Sequence, residues 1–561
     1  MLSIWERLTA NKWNLLLAFV SSSVVIAISG WVAWRLLSFT GQVGLNYPLG
    51  PDPDIWGIEG ALMARYDSPI SIPPGYPQAV SLFAGSNGGL VQGALTANAF
   101  FLGCVPIFAA IGVAALANNR WTAASGAVGA ALVTAFGING FPWAYYFQPE
   151  IMTLAVVTAT VAAGCCFLRQ QNWQTTLFLG ACTGLCFSTR EHGIVILLAM
   201  LIAILITVKR GKRLRLWFTF LLAVQIGGSL GTATPTKPFF WPYGPNGTLK
   251  KAEVAIRDSS RAIGFDDGAE SSGGVQKAGA QNLESFRQQA VEKSRSYIPI
   301  FVVGALGTFA MVLVWGWRTI FIMGAVMSPL SAALVVFTQE RHFLVLSGGA
   351  LLLSVGSASA LFGRYLPRVG SLIVLISCAS YAYMHYYPQA KSANRELWIA
   401  MAEQQENEIF LALSEKLIEV VEPGGMLHKK IDMSGAGDQS SAPAKEEIVS
   451  ILTGMRPIEL KQEYVPLLPP HSYQSINELP SWPNYLYRTY VFHESSPGDL
   501  WVEVAQVDRY KIYRAKRPEG VSVDCLFGEL PDMVVSKVPK AFDGQERQVE
   551  RIQPNPSPNC R

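Results

Sequence analysis

Charge is what this chain has least of. Only 15% of its 561 residues are Asp, Glu, Lys or Arg, where a soluble globular protein carries about a quarter. The shortfall excludes an ordinary soluble protein of this size. A strong basic excess is lacking too: the formal net charge is +4, too small for the electrostatic footprint of a nucleic-acid binder, so no nucleic-acid partner is expected. The histidines include His192 and His342 near other polar groups, but no spacing resembles a zinc set. The sequence therefore requires no cofactor, and a divalent metal, though chemically admissible, has no support. Cysteine is scarce outside apolar stretches. Cys104, Cys165, Cys166, Cys182, Cys186 and Cys378 lie within them and read as packing residues. Cys525 and Cys560 lie in the polar C-terminal region, where an oxidising compartment would permit a disulfide.

What the chain has instead is apolar length. Its mean hydropathy is +0.27, gathered into runs close to the roughly 20 residues that cross a hydrocarbon core as a helix. Spans are predicted at 15–37, 94–117, 122–138, 150–168, 175–189, 193–208, 216–233, 298–316, 319–337, 343–362 and 370–386. The expected fold class is a multi-span α-helical membrane protein of about 11 transmembrane helices with a C-terminal soluble α/β domain. The first run exceeds a signal-peptide core and no small-residue cleavage site follows it, so it reads as a retained anchor.

Lys and Arg in short loops set the orientation. With the N-terminus in the cytoplasm, the inside segments hold Arg7, Lys12, Arg120, Arg169, Arg318, Arg364, Arg368 and the cluster Lys209, Arg210, Lys212, Arg213 and Arg215. The short outside loops hold Arg65, Arg190 and Arg341, with Arg35 at the outer end of the first span. An odd number of spans then puts the C-terminal region outside a cell (inner) membrane. The division is a membrane domain over 1–387, with outside loops at 38–93 and 234–297, and a soluble domain over 388–561.

The first outside loop contains a short amphipathic helix, with Ile55, Ile58, Leu62 and Tyr66 at helical spacing. The stretch Ile72-Pro73-Pro74-Gly75-Tyr76-Pro77 then predicts an extended turn. The second loop opens on Phe239-Phe240-Trp241-Pro242-Tyr243, contains the sequon Asn246-Gly247-Thr248, and runs into a mixed-charge, Gly- and Ser-rich segment at 258–280 of mobile composition; the loop as a whole reads as a lid or a flexible connector. In the C-terminal region a helical pattern covers about 393–421, a flexible patch follows at 433–446, and alternation predicts strands at 487–493, 500–507 and 510–514.

Four polar motifs fall on one predicted face: Asp52-Pro53-Asp54, Gln148-Pro149-Glu150, Arg190-Glu191-His192 and Glu340-Arg341-His342. Asp52 suits a helix N-cap, leaving Asp54 to face a cleft, with Glu59 a weaker alternative. Gln148-Pro149-Glu150 has the same grammar: a polar residue, a helix-opening proline, then an acid that either complements the helix dipole or acts as a second carboxylate. The aromatics before it, Phe141, Trp143, Tyr145, Tyr146 and Phe147, read as an interface belt or a sugar-stacking wall. Arg190 is either neutralised by its neighbour Glu191 or drawn inward by a close-packing face at Gly180 and Gly184. Arg341 stands in a tight outside turn, and arginine's fixed fork of donors matches phosphate oxygens. Acids and arginines at one water–lipid boundary suit the handling of a lipid-linked phosphate.

The order and sidedness of these motifs resemble the GT-C superfamily of membrane glycosyltransferases, in the branch of protein O-mannosyltransferases and aminoarabinose lipid A transferases. The resemblance covers about residues 10–390 and no part of the tail. It rests on Asp54-Ile55-Trp56, Ala64-Arg65-Tyr66, Pro74-Gly75-Tyr76-Pro77, Glu150, Arg190 and Arg341-His342. The chain departs from it by Asp-Pro-Asp in place of adjacent Asp-Glu, and by His342 where Tyr is common.

The resemblance implies transfer of a sugar, with inversion, from a polyprenyl-phosphate donor to an extracytoplasmic lipid, glycan or protein acceptor. It implies catalytic carboxylates among Asp54, Asp52 and Glu150, and donor-phosphate binding by Arg341, Arg190 and His342. Two other readings stand beside it: a transporter or flippase of a lipid-linked saccharide, and a non-catalytic relative that recruits a partner through its tail. A transporter would concentrate charge near the bilayer midplane; here it sits at the boundary.

Overall fold

The computed structural model describes residues 12–43, 75–84, 90–138, 140–146, 148–190, 192–232, 297–330, 340–406, 408–421, 426–428, 456–458, 489–493 and 501–516. Asp52, Asp54, Glu59, the predicted interfacial helix, Glu191, the sequon, the segments 258–280 and 433–446, Cys525 and Cys560 lie outside these residues.

Long apolar runs become helices because a backbone in lipid must satisfy its own hydrogen bonds. Helices α1 (Lys12–Val43), α2 (Gly75–Ala84), α3 (Leu90–Leu116), α4 (Arg120–Phe136) and the short α5 (Gly140–Ala144) come first. Then follow α6 (Glu150–Arg169), α7 (Trp173–Thr189), α8 (His192–Thr207) and α9 (Arg210–Thr232). Beyond the second loop come α10 (Ile298–Trp315), α11 (Arg318–Val326), α12 (Glu340–Tyr365) and α13 (Pro367–Glu406). Among the described helices, six are long and apolar enough to cross a membrane: the spans at Leu15–Ser38, Val91–Leu116, Glu150–Arg169, Ile298–Trp315, Phe343–Tyr365 and Pro367–Tyr386. The protein is a multi-span α-helical membrane protein.

Helix α6 is its axis. It is apolar all round and buried along nearly its whole length, against α3, α7 and α12. Its buried hydroxyls are satisfied within the helix: Thr153, Thr158 and Thr160 donate to the carbonyls of Pro149, Leu154 and Val156 at 2.7–2.8 Å. By contrast α1, α10 and α13 leave leucines, isoleucines and phenylalanines exposed along their outer faces, as lipid-facing helices do.

Arginines close the helix ends opposite the polar motifs. Arg169 donates through Nη1 to the carbonyls of Ala115 at 2.8 Å and Ala117 at 3.0 Å, where α3 ends, and Arg364 donates to Leu313 near the end of α10 at 2.7 Å. The last carbonyls of a helix have no partner of their own, and a cation is favoured there. Arg169→Ala is expected to cost about 1.5–3 kcal/mol, the worth of hydrogen bonds to a charged group. A thermal-melt comparison in detergent checks this; an unchanged midpoint would mean water caps α3 equally well.

The structure corrects two expectations and extends a third. Gly75 begins a helix instead of an extended turn, with Pro77 in the first helical turn, where a missing N–H costs nothing. The span predicted at 319–337 is interrupted: α11 ends at Val326 and a turn follows immediately before Pro329, whose ring disfavours helix in the residue preceding it. The helical pattern from about 393 is part of α13, a 40-residue helix that runs through Pro388 without a break.

Beyond α13, α14 (Glu408–Val420) packs on a sheet of β1 (Met426–His428), β2 (Arg456–Ile458), β3 (Thr489–His493), β4 (Trp501–Val507) and β5 (Tyr510–Ala515). The order is β2-β1-β3-β5-β4, with β1 parallel to both neighbours and β5 antiparallel to both of its own. Phe410, Leu413 and Leu417 supply the buried helix face, and the Phe410 ring lies 5.7 Å from that of Tyr510. The β4–β5 turn places Asp508 at φ 51°, which Asp tolerates better than most residues. The three predicted strands are present; β1 and β2 are additions.

Candidate active site

Pro149 opens α6 and leaves Glu150 in its first turn. The Glu150 carboxylate is 1% exposed and forms an ion pair with the Arg190 guanidinium, itself 13% exposed, directly beyond α7. Two groups predicted separately are therefore one buried unit. Arg190 reaches inward to the start of α6; Glu191, the neighbour that would neutralise it locally, lies outside the described residues. Gly180 and Gly184 do form a packing face, and its partner is α9. A Cβ on Gly180 would lie 2.5 Å from the Ala223 Cβ and 2.6 Å from the Phe220 carbonyl oxygen.

Three further side chains frame the pair. Gly75 lets the start of α2 press on the end of α7, since a Cβ there would stand 2.7 Å from the Ser188 carbonyl oxygen. Tyr76 follows, fully buried. Burial first, and the nearby Glu150 charge second, hold its hydroxyl well above the ordinary tyrosine range, opposed by the Asn98 side chain and the Gln148 backbone. Asn98 of α3, also fully buried, donates through Nδ2 to the carbonyls of Ala144 at 3.0 Å and Tyr146 at 2.9 Å, pinning the loop that leads into Glu150. In that loop Trp143 and Tyr146 meet edge to face with ring centroids 5.3 Å apart.

Arg341 and His342 lie in the first turn of α12, and His192 opens α8; for these residues the backbone alone is described. A Cβ on Gly348 would collide with the Thr158 hydroxyl, and one on Gly112 of α3 would lie 2.7 Å from Leu352 and 3.0 Å from Ala162, four residues further along each helix, so α12 runs beside α6 in the same direction. At 1.5 Å rise per residue, Glu150 stands about 12 Å above Thr158 and Arg341 about 10 Å above Gly348. The two reach the same end of the bundle at similar depth, opposite the end where Arg169 and Arg364 act. At this end too, Arg35 of α1 donates to the Tyr386 hydroxyl and lies over the Trp31 ring, 5.3 Å from its centroid.

Sequence reasoning selected Glu150, Arg190 and Arg341 but gave no role to Tyr76 or Asn98. The signal for Asn98 was there: a lone amide inside an apolar span. Asp52 and Asp54 lie outside the described residues, so the structure does not bring them to the pair or separate them from it. Among the described residues no three His, Cys, Asp or Glu side chains converge as a metal site.

Comparison with known proteins bears on the same region. Residues 91–227, which include Asn98, Gln148, Glu150 and Arg190, match a family model described as dolichyl-phosphate-mannose-protein mannosyltransferase. Among solved structures the chain is similar to the crystal structure of ArnT from Cupriavidus metallidurans bound to undecaprenyl phosphate. The two are 13% identical over 90% of this chain and 98% of that one, with a TM-score of 0.45. Comparison with curated proteins found no match.

Proposed function

We propose that this chain is a membrane glycosyltransferase of the GT-C superfamily, as the family match over residues 91–227 supports, and that it moves a sugar from a polyprenyl-phosphate donor to an extracytoplasmic acceptor with inversion. The observation that carries the reading is the buried Glu150–Arg190 pair at the end of the bundle that also holds Arg341. Such a pair is expensive to bury, and ionisable groups at membrane depth mark functional sites. The description of the matched family supports a lipid-phosphate donor.

A phosphate is already a good leaving group, so no general acid is needed at the glycosidic oxygen. One carboxylate suffices, as general base. Asp54 takes the proton of the acceptor hydroxyl as its oxygen attacks the anomeric carbon, with Asp52 and Glu150 the other carboxylates available. The bond from that carbon to the phosphate oxygen breaks, and the departing lipid phosphate meets Arg341, His342 and Arg190. Glu150 holds Arg190 in place before the phosphate arrives. The arginine-capped end of the bundle faces the cytoplasm of an inner membrane, and residues 388–561 form a domain on the other side, where the acceptor is a lipid, glycan or protein.

The test is sugar transfer by the purified protein in lipid, from radiolabelled polyprenyl-phosphate sugars to an envelope-lipid acceptor extract. Asp54→Asn and Arg341→Ala are each expected to lower transfer at least ~100-fold, the lower end for removing a general base or a charge-stabilising donor. Transfer that survives Asp54→Asn moves the base to Asp52 or Glu150. No transfer from any donor, with labelled lipid still bound, favours transport.

A further inference from the structure

Gln148 is the residue the mechanism does not use. Its side chain is 1% exposed. Its backbone N–H donates to the Tyr146 carbonyl at 2.9 Å, yet neither the nitrogen nor the oxygen of its side-chain amide has a hydrogen-bond partner among the described residues. It does not cap α6, whose first turn has no side-chain cap. Asn98 repeats the pattern in part: its Nδ2 is committed to two loop carbonyls, while Oδ1 has no partner among the described residues. Both residues border Tyr76, and Gln148 is two positions from Glu150.

A buried amide without partners is costly to retain. Buried polar groups in native proteins are paired, and an exception calls for a ligand or an ordered water. An amide sets a donor and an acceptor side by side, which is what two neighbouring hydroxyls on a sugar ring present in reverse. We infer that Gln148, with Asn98 Oδ1 beside it, recognises ring hydroxyls of the sugar held next to Glu150, making Gln148 a specificity residue. This rests on the glycosyltransferase reading only in supposing that a sugar enters this site.

A site built to hydrogen-bond a hydroxyl rejects the analogue lacking it, because its own polar groups are then left unpaired. Removing the amide should therefore abolish discrimination while relieving the empty protein of two unpaired groups. The experiment compares wild type with Gln148→Leu and Gln148→Met in lipid. It measures thermal stability, the affinities for polyprenyl-phosphate hexoses, their deoxy analogues and bare polyprenyl phosphate, and kcat/KM for transfer.

The expected result has three parts: equal or higher stability, unchanged affinity for bare polyprenyl phosphate, and a 10- to 100-fold loss of preference for the hydroxylated over the deoxy sugar. Unchanged preference with active transfer would overturn the inference and leave the enzyme reading standing. Lower stability with unchanged preference would assign the amide to an ordered water and overturn it equally. A Gln148-dependent preference in binding, with no transfer by wild type, would sustain the inference and end the enzyme reading.

Discussion

Glu150→Ala is expected to destabilise the folded protein by about 3–5 kcal/mol, the cost of leaving one member of a buried ion pair without the other. The Glu150→Leu/Arg190→Met double variant is expected to regain most of that loss and to transfer no sugar. The reason lies in where the pair sits. Its carboxylate is 1% exposed and its guanidinium 13%, so water is a poor replacement for a missing partner. Removing both charges removes the desolvation cost along with the attraction, and apolar side chains of similar volume fill the space. An exposed ion pair would behave otherwise, with each single change near neutral. Apparent melting temperatures in one detergent, scanned at one rate, give the order of stabilities, and the transfer assay gives the second coordinate. Single variants as stable as wild type would contradict the burial of the pair. A double variant that still transfers would make the pair a scaffold and return the chemistry to the carboxylates of the first loop.

The helices were legible because lipid imposes one rule on every run: enough apolar residues to cross, and a backbone bonded to itself. That rule says little about where a helix stops inside an apolar stretch. Pro329 lies among residues as hydrophobic as those before it, and only its ring chemistry marks the interruption. Pro388, by contrast, marks no interruption, because α13 continues through it. The three-residue strands β1 and β2, the latter centred on Pro457, are too short for alternation to reveal.

At the site, single residues were legible and their pairing was not. Glu150 and Arg190 are 40 positions apart, and Glu191 offered Arg190 a partner next door in sequence. What brings Arg190 within reach of Glu150 is the packing of α7, which no local pattern encodes beyond its glycines. The polar frame of Tyr76, Asn98 and Gln148 comes from three separate segments, and only the fold makes it one surface.

Those glycines carry the second large effect. Gly184→Ala is expected to cost roughly 1–3 kcal/mol, the usual penalty for forcing a methyl into a filled interface, and to lower transfer more than that loss alone explains. A Cβ on Gly184 would collide with the Val224 carbonyl oxygen and lie 2.6 Å from the Gly228 nitrogen, both backbone atoms of α9 that cannot rotate away. Helix association in lipid depends on such close approach rather than on hydrophobic burial, so α7 must shift or tilt away from α9. Arg190 stands directly beyond the last turn of α7, six residues past Gly184. A displacement at the glycine is carried along the rigid helix to the guanidinium, and ion-pair geometry tolerates little of it. The control is Gly324→Ala: nothing lies within 4 Å of a Cβ there, and within a helix alanine is the better former by about 1 kcal/mol, so stability should hold or rise with transfer unchanged. If Gly184→Ala melts like wild type, α7 and α9 are not held together through their glycines. If it melts lower but transfers normally, the position of Arg190 is set by α6 and α2 rather than by α7.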